Sequence, residues 1–504
     1  MKTQRINNIR NDFYIFIKKT MKQLILSFTF IFSSFLVLAQ ETKIDTPITT
    51  KSQLVINGKT IQYTAHTGYI QYKNTEGKHT ANMFHVSYIK QNEPNKKNRP
   101  VTFVFNGGPG SSSVWLHMGA IGPRRIKMAA DGNAIESPYA IIPNEYSWLD
   151  LTDLVFIDPV GSGFSRPVEG EKAEQFYGYD NDIKTVSEFI RLWTVQNNRW
   201  GSPKYIAGES YGTTRACGVT DYLMTEYGMY INGISLISAA LDFQTLREFQ
   251  NNDKPYIFNL PVYTYTAQFH KVFNDERNTD TLLVKKAETF AIQTYSVALL
   301  KGDLLSDEEA MKIAQELSYF TGISTETFLK HNLRIPSWMF RKLLLESRKQ
   351  IIGRFDTRLT MPDPLQQRDF AAEDPSFTLI NSAFATAFNE YVQTELQYTN
   401  ELPFYTIGNV HPWKYGDGKY LNVTPQLRNS LYKNPYMKVW IANGKYDLAT
   451  SYFGAEHAIS QLNIPKELQK NIHWTYYNAG HMMYLLESEL ILLRKDAESF
   501  FKKD

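Results

Sequence analysis

The sequence predicts an α/β fold: a mostly parallel central sheet, helices on both faces, and a largely helical cap inserted into it. Three observations carry this reading. Apolar runs suited to buried parallel strands recur along the chain with helical segments between several of them. One of these runs, ending at Ala207, passes through a glycine-flanked turn straight into a helix. From Asp242 to about Leu402 the strand–helix rhythm stops, and helical patterns interrupted by Pro336, Pro362 and Pro364 replace it.

In chain order, alternating stretches between Gln53 and Lys90, such as Ile61–Ala65 and Met83–Ile89, read as antiparallel strands. Val101–Phe105, Leu154–Ile157, Tyr205–Ala207, Ile234–Ile237 and Val439–Ala442 then read as parallel strands, because they are too continuously apolar to have a wet face. Helices are expected over Asn181–Trp193 and Thr214–Tyr227. A helix near Ala455–Leu462, a strand Ile472–Tyr477 and a helix Leu485–Phe501 close the chain. Within the insertion, Asp307–Tyr319 and Ser376–Gln397 carry helical periodicity. The expected organisation is therefore an N-terminal extension and signal peptide over 1–39, a first part of the core over 40–241, a cap over 242–402, and a second part of the core over 403–504. A cap over a sheet edge is a common place for substrate-covering elements.

Composition excludes several classes. Net charge is only +3 and the one short basic run, Lys96-Lys97-Asn98-Arg99, lies between Pro94 and Pro100, so no nucleic-acid partner is expected. Cys217 is the single cysteine, so no intramolecular disulfide can form; it falls on an apolar helix and reads as a buried structural thiol. Neither paired CxxC motifs nor HExxH occur, and no metal or cofactor is expected. Met21-Lys22-Gln23 followed by the apolar run Leu24–Ala39, with Val37 and Ala39 placed for cleavage, has the form of a secretory signal. Export to the periplasm or the extracellular space is expected, with Met1 or Met21 as the start; a retained N-terminal anchor is the alternative. Later segments are too short or too polar to span a bilayer. Oligomeric state is open.

The chemistry begins at Gly208-Glu209-Ser210-Tyr211-Gly212. A serine on so tight a strand-to-helix turn has crowded backbone angles, and glycines two positions either side relieve the clashes while the hydroxyl is pushed outward. A serine needs a base, usually an imidazole held by a carboxylate. His481 follows Asn478-Ala-Gly480 just after the last strand, and Asp447 follows the Val439–Ala442 strand through a turn. The order Ser210, Asp447, His481 is that of an α/β-hydrolase. Asp417, in Gly416-Asp-Gly418, is a rival carboxylate that reads as a turn residue, since no strand delivers it to the sheet's edge. Oxyanion donors should be backbone N–H groups, one of them at Tyr211 and another from the glycine-rich loop Asn106-Gly-Gly-Pro-Gly-Ser-Ser112 after Val101–Phe105. That loop lacks the Gly-Lys-Ser/Thr ending of a nucleotide-binding loop.

Four blocks together resemble the serine carboxypeptidase family of α/β-hydrolases in a bacterial-type form: Asn106–Ser113, Asp158-Pro-Val-Gly-Ser-Gly-Phe-Ser165, Gly208–Gly212 and Ala479-Gly-His-Met482. The resemblance runs from about Val101 to Leu241 and from about Tyr420 onward, and is weak elsewhere. It implies that Ser210 attacks the scissile carbonyl, His481 moves the proton and Asp447 supports the imidazolium. Gly108 and Tyr211 N–H would form the oxyanion hole, and Asn106 and Glu209 would hold the substrate's C-terminal carboxylate. Two anions at contact repel, so Glu209 can serve only by sharing a proton; the alternative is a buried structural glutamate. The family usually carries a second glutamate where this chain has Ala120, in Gly119-Ala120-Ile121-Gly122-Pro123. Without that partner Glu209 is expected to titrate lower. Ser111 stands where eukaryotic relatives commonly have cysteine. The expected function is a secreted serine carboxypeptidase acting on peptide or protein C-termini through an acyl-enzyme. An esterase or acyltransferase with the same triad, or a catalytically silent binding protein on the same fold, is the alternative.

Overall fold

The computed structural model describes residues 47–502, except 369, 370, 372 and 417, together with residue 18. The expected signal segment and its cleavage site, and the rival Asp417, lie outside the described residues. The main strands are β1 (Ile48–Ile56), β2 (Lys59–Lys73), β3 (His79–Lys90), β4 (Val101–Phe105), β5 (Asp153–Ile157), β6 (Lys204–Glu209), β7 (Gly233–Ile237), β8 (Lys438–Gly444) and β9 (Ile472–Tyr477). They form one sheet in the spatial order β1-β2-β3-β5-β4-β6-β7-β8-β9, and the two-residue strand Arg166–Pro167 pairs with β3. From β1 to β5 the pairing is antiparallel. From β5 through β4 to β9 every pair is parallel.

Alternation along the strands divides the core between the two faces. Val101, Phe103 and Phe105 of β4 point to one face with Ile206, Leu236 and Ile441. There they meet α1 (Tyr179–Gln196), α2 (Tyr211–Tyr227) and, farther along the chain, α6 (Thr424–Lys433). Val104, Phe156, Ala207, Ile237 and Trp440 point to the other face. That face is covered by α5 (Pro375–Thr394) and α8 (Glu487–Phe501). All residues of β4, β5 and β7 are buried, which is why these strands read as unbroken apolar runs.

Between β7 and β8 lies the helical stretch. Its α3 (Lys254–Phe269) and α4 (Asp307–Thr321), with shorter helices between and after them, share a separate apolar core built on Leu260, Leu317, Phe340 and Leu345. A capping box closes the start of α4, where Ser306 and Glu309 satisfy each other's backbone N–H groups. Two details depart from the sequence expectation. The strands Gln350–Ile352 and Thr360–Pro362 form a small antiparallel ladder within a stretch read as helical. And α5 inserts Ile380, Phe384 and Phe388 into the core of the main sheet. Helical periodicity specifies a buried face but not which partner covers it. A further helix, α7 (Tyr452–Ser460), lies between β8 and β9.

Candidate active site

Ser210 joins β6 to α2 with φ 61° and ψ −130°, a conformation that side chains rarely adopt. The strain is held from both sides. Its N–H donates to Ile237 O on β7 (3.0 Å), and its carbonyl accepts from Thr213 N (2.8 Å) and Thr213 Oγ1 (2.7 Å). The flanking glycines are steric necessities. A Cβ on Gly208 would overlap the Gly212 carbonyl, and one on Gly212 would come within 2.9 Å of Phe105 O. Ser210 itself is only half-buried.

Because β6, β7, β8 and β9 are parallel neighbours, the loops after them open at one sheet edge. The loop after β8 delivers Asp447 and the loop after β9 delivers His481, with His481 Nδ1 2.7 Å from Asp447 Oδ2. Both are buried. Every acceptor site of the carboxylate is used: Oδ1 accepts from Ala449 N (2.7 Å) and Thr450 N (3.0 Å), and Thr450 Oγ1 donates to Oδ2 (2.7 Å). Burial alone would disfavour the imidazolium, yet the charge and hydrogen bond of Asp447, assisted by Glu209, outweigh it and raise the His481 pKa above the usual 6.5. With Nδ1 engaged, Nε2 is the nitrogen free to exchange a proton. The backbone of His481 is clamped as well. Its N–H donates to Phe355 O (2.6 Å), its carbonyl accepts from Ser238 Oγ after β7 (2.6 Å), and Gly480 N donates to Asp356 Oδ2 (3.1 Å).

The glycine-rich loop after β4 lies directly against this elbow. A Cβ on Gly107 would collide with Tyr211 N, so the loop approaches as closely as only glycine permits. Among the described residues, the N–H groups of Gly108 and Tyr211 have no protein acceptor. The Asp158–Ser165 block is a buttress for this loop. Asp158 Oδ1 accepts from Ser113 N and Ser113 Oγ, both at 2.8 Å, while Ser165 Oγ donates to Asp158 O (2.6 Å). From α2, Arg215 pairs with Asp182 Oδ2 of α1 (2.9 Å) and donates from Nη1 to Asn106 O (2.5 Å), fixing the loop's first residue.

Beside Ser210, Glu209 is buried, and burial is the main cause of its pKa being raised from 4.5 to about 7. His481 opposes that shift, as do the side chains of Tyr484 and Asn106. Desolvation by itself keeps the proton on Glu209 to near neutrality, with alanine and not a second acid at position 120. Ala120 is buried in the turn His117–Ile121. The residues that sequence reasoning missed are Tyr484, Thr450, Ser238, Phe355 and Asp356. Each sits in a loop or a bend, where no periodicity flags a role. Among the described residues no group of acidic, histidine and cysteine side chains could hold a metal ion.

Comparison with known proteins bears on this arrangement. The serine carboxypeptidase profile matches residues 56–489. The chain belongs to the serine carboxypeptidase family. Among curated relatives of this carboxypeptidase, the mouse lysosomal protective protein is 23% identical over 425 residues, covering 80% of this chain and 79% of that one. The pheromone-processing carboxypeptidase KEX1 of Arthroderma otae is 30% identical over 154 residues, 29% of this chain and 21% of its own. In structure, the prohormone-processing carboxypeptidase KEX1ΔP of Saccharomyces cerevisiae superposes with a TM-score of 0.51 at 16% identity, covering 87% of this chain and 91% of that one, a likeness of fold. The chain is thus a serine-type carboxypeptidase, a hydrolase with an α/β-hydrolase fold and peptide substrates. No helix among the described residues is long and apolar enough to cross a membrane.

Proposed function

We propose that this carboxypeptidase removes C-terminal residues from peptides through an acyl-enzyme on Ser210. The observation that carries the reading is the His481–Asp447 couple at 2.7 Å, set on the same sheet edge as the strained serine turn. Ser210 Oγ attacks the scissile carbonyl carbon while its proton passes to His481 Nε2, and Asp447 stabilises the imidazolium that results. The carbonyl oxygen, now negative, accepts from Gly108 N–H and Tyr211 N–H. Collapse breaks the C–N bond; the leaving amine takes the proton from His481 and departs as the C-terminal residue. A water then loses its proton to His481, attacks the ester carbon and releases the shortened peptide, which returns Ser210 to its hydroxyl form.

Asn106 and protonated Glu209 hold the substrate's terminal carboxylate. The orientation of Asn106 supports this, since Oδ1 accepts from Leu116 N (3.1 Å), which leaves Nδ2 as the donor towards the site. Within the insertion 242–402, the part that has its own apolar core acts as the cap, and residues 1–39 direct export to the periplasm or beyond.

Matched N-blocked peptides, one with a free C-terminus and one amidated, test the reading. We expect cleavage to favour the free acid and to fall by several orders of magnitude in Ser210→Ala. Near-normal turnover by Ser210→Ala would overturn the mechanism. Fast ester cleavage with no peptide cleavage would leave the triad standing and transfer the assignment to an esterase or acyltransferase, a result the Ala120 departure would explain.

A further inference from the structure

Three buried polar atoms converge beside the nucleophile without a hydrogen-bond partner: Asn106 Nδ2, Glu209 Oε2 and Tyr484 Oη. Their residues are 1%, 3% and 2% exposed, so solvent does not satisfy them. Tyr484 and Asn106 stand within hydrogen-bonding reach of the Glu209 carboxyl and act on its titration, but none of these contacts reaches full hydrogen-bond geometry. A buried polar atom left unpaired is costly. Three such atoms together describe a socket whose partner is supplied from outside. Two are donors at any pH near neutrality, the Asn106 amide and the Tyr484 hydroxyl, whose ionisation burial pushes well above 10. The third is a donor when Glu209 is protonated. A carboxylate, with acceptor lone pairs on both oxygens, matches that set.

The placement of Tyr484 is specific. It lies in the short turn Met483–Leu485 after His481, and its ring packs against the His117–Ile121 turn. A Cβ on Gly119 would stand 2.5 Å from Tyr484 Cε2 and 2.7 Å from Cδ2, so glycine next to Ala120 is what admits the ring. The turn that lacks the family's second acid is thus the one that seats a phenol.

We propose that Tyr484 is a third ligand of the substrate's C-terminal carboxylate, seated against the turn that carries Ala120. This rests on the carboxypeptidase reading of Asn106 and Glu209. An O–H donor serves an anion without needing to share a proton, so the anchor keeps two permanent donors.

The test compares Tyr484→Phe with the unaltered protein on the matched free-acid and amidated peptides at one pH, with thermal melting alongside. Tyr484→Phe should lower the preference for the free acid roughly tenfold or more through KM, with turnover of the amidated peptide unchanged. Its melting temperature should hold or rise, since an unsatisfied hydroxyl is removed from the interior. Gly119→Ala, which displaces the ring with the hydroxyl intact, should show the same loss of preference. Equal losses on both peptides, or a lowered melting temperature with preference retained, would make Tyr484 structural and overturn the proposal. If the unaltered protein prefers the free acid and Tyr484→Phe prefers it equally, only the tyrosine assignment falls. Indifference of the unaltered protein to amidation removes the carboxylate anchor and the tyrosine with it.

Discussion

On the proposed mechanism Glu209 must carry a proton to hold a carboxylate, and His481 must lack one to act as base. These needs pull in opposite directions along the pH axis. Raising pH through the elevated His481 pKa frees the base and increases attack on any substrate, while raising it through about 7 ionises Glu209 and weakens anchoring of free C-termini alone. We expect a bell-shaped kcat/KM profile for the free-acid peptide and only the rising limb for an ester or amide; an ester profile that also falls above pH 7 would disprove this division. Since the two groups influence each other, the limbs report the pair. Stability follows the same logic. The folded pKa of Glu209 lies above its ordinary 4.5, so its contribution is fully present below about pH 4.5 and is lost as pH rises to about 7. Glu209→Gln should therefore leave melting unchanged at pH 4 and raise stability at pH 8 by up to about 3 kcal/mol. At Asp447, where four groups converge on one carboxylate, Asp447→Asn should preserve the fold but reduce kcat by roughly 10³–10⁴, as the imidazole loses its tautomer and its counter-charge.

At the scale of elements, what was legible in the sequence and what was not divides cleanly by physical cause. The parallel strands of the sheet's centre could be read because burial on both faces demands an unbroken apolar run, and Val101–Phe105 coincides with a strand end to end. The meeting of Asp447 with His481 was legible because topology fixes which strand ends they follow. Loop partners such as Phe355 and Asp356 were not, because contacts made across the fold leave no local pattern. The same holds for α5, whose apolar face reads alike whether it meets the sheet or the cap. Pairing between α1 and α2 illustrates the point: Arg215 and Asp182 are buried on separate helices, and Arg215 also grips Asn106 O. Arg215→Ala should cost about 3–5 kcal/mol by stranding the Asp182 charge. Urea melts would measure it. A loss of acid-over-amide preference in the folded fraction is expected too, because the loop holding Asn106 is released.

For the molecule as a whole, a core of this size stands without covalent cross-links. Cys217 is the only cysteine, and it is fully buried on α2, its thiol pushed up by desolvation. Melting should be the same with and without reductant, and alkylation should be negligible until denaturant is added. This sealed thiol lies on the helix whose first N–H is the proposed oxyanion donor. It is therefore a built-in clock. The rate at which a thiol reagent captures Cys217 under native conditions measures how often that helix opens, without a label and without a substrate. Run beside turnover, the clock would separate variants that damage chemistry in an intact enzyme from those that lower activity by letting the nucleophile's helix come loose.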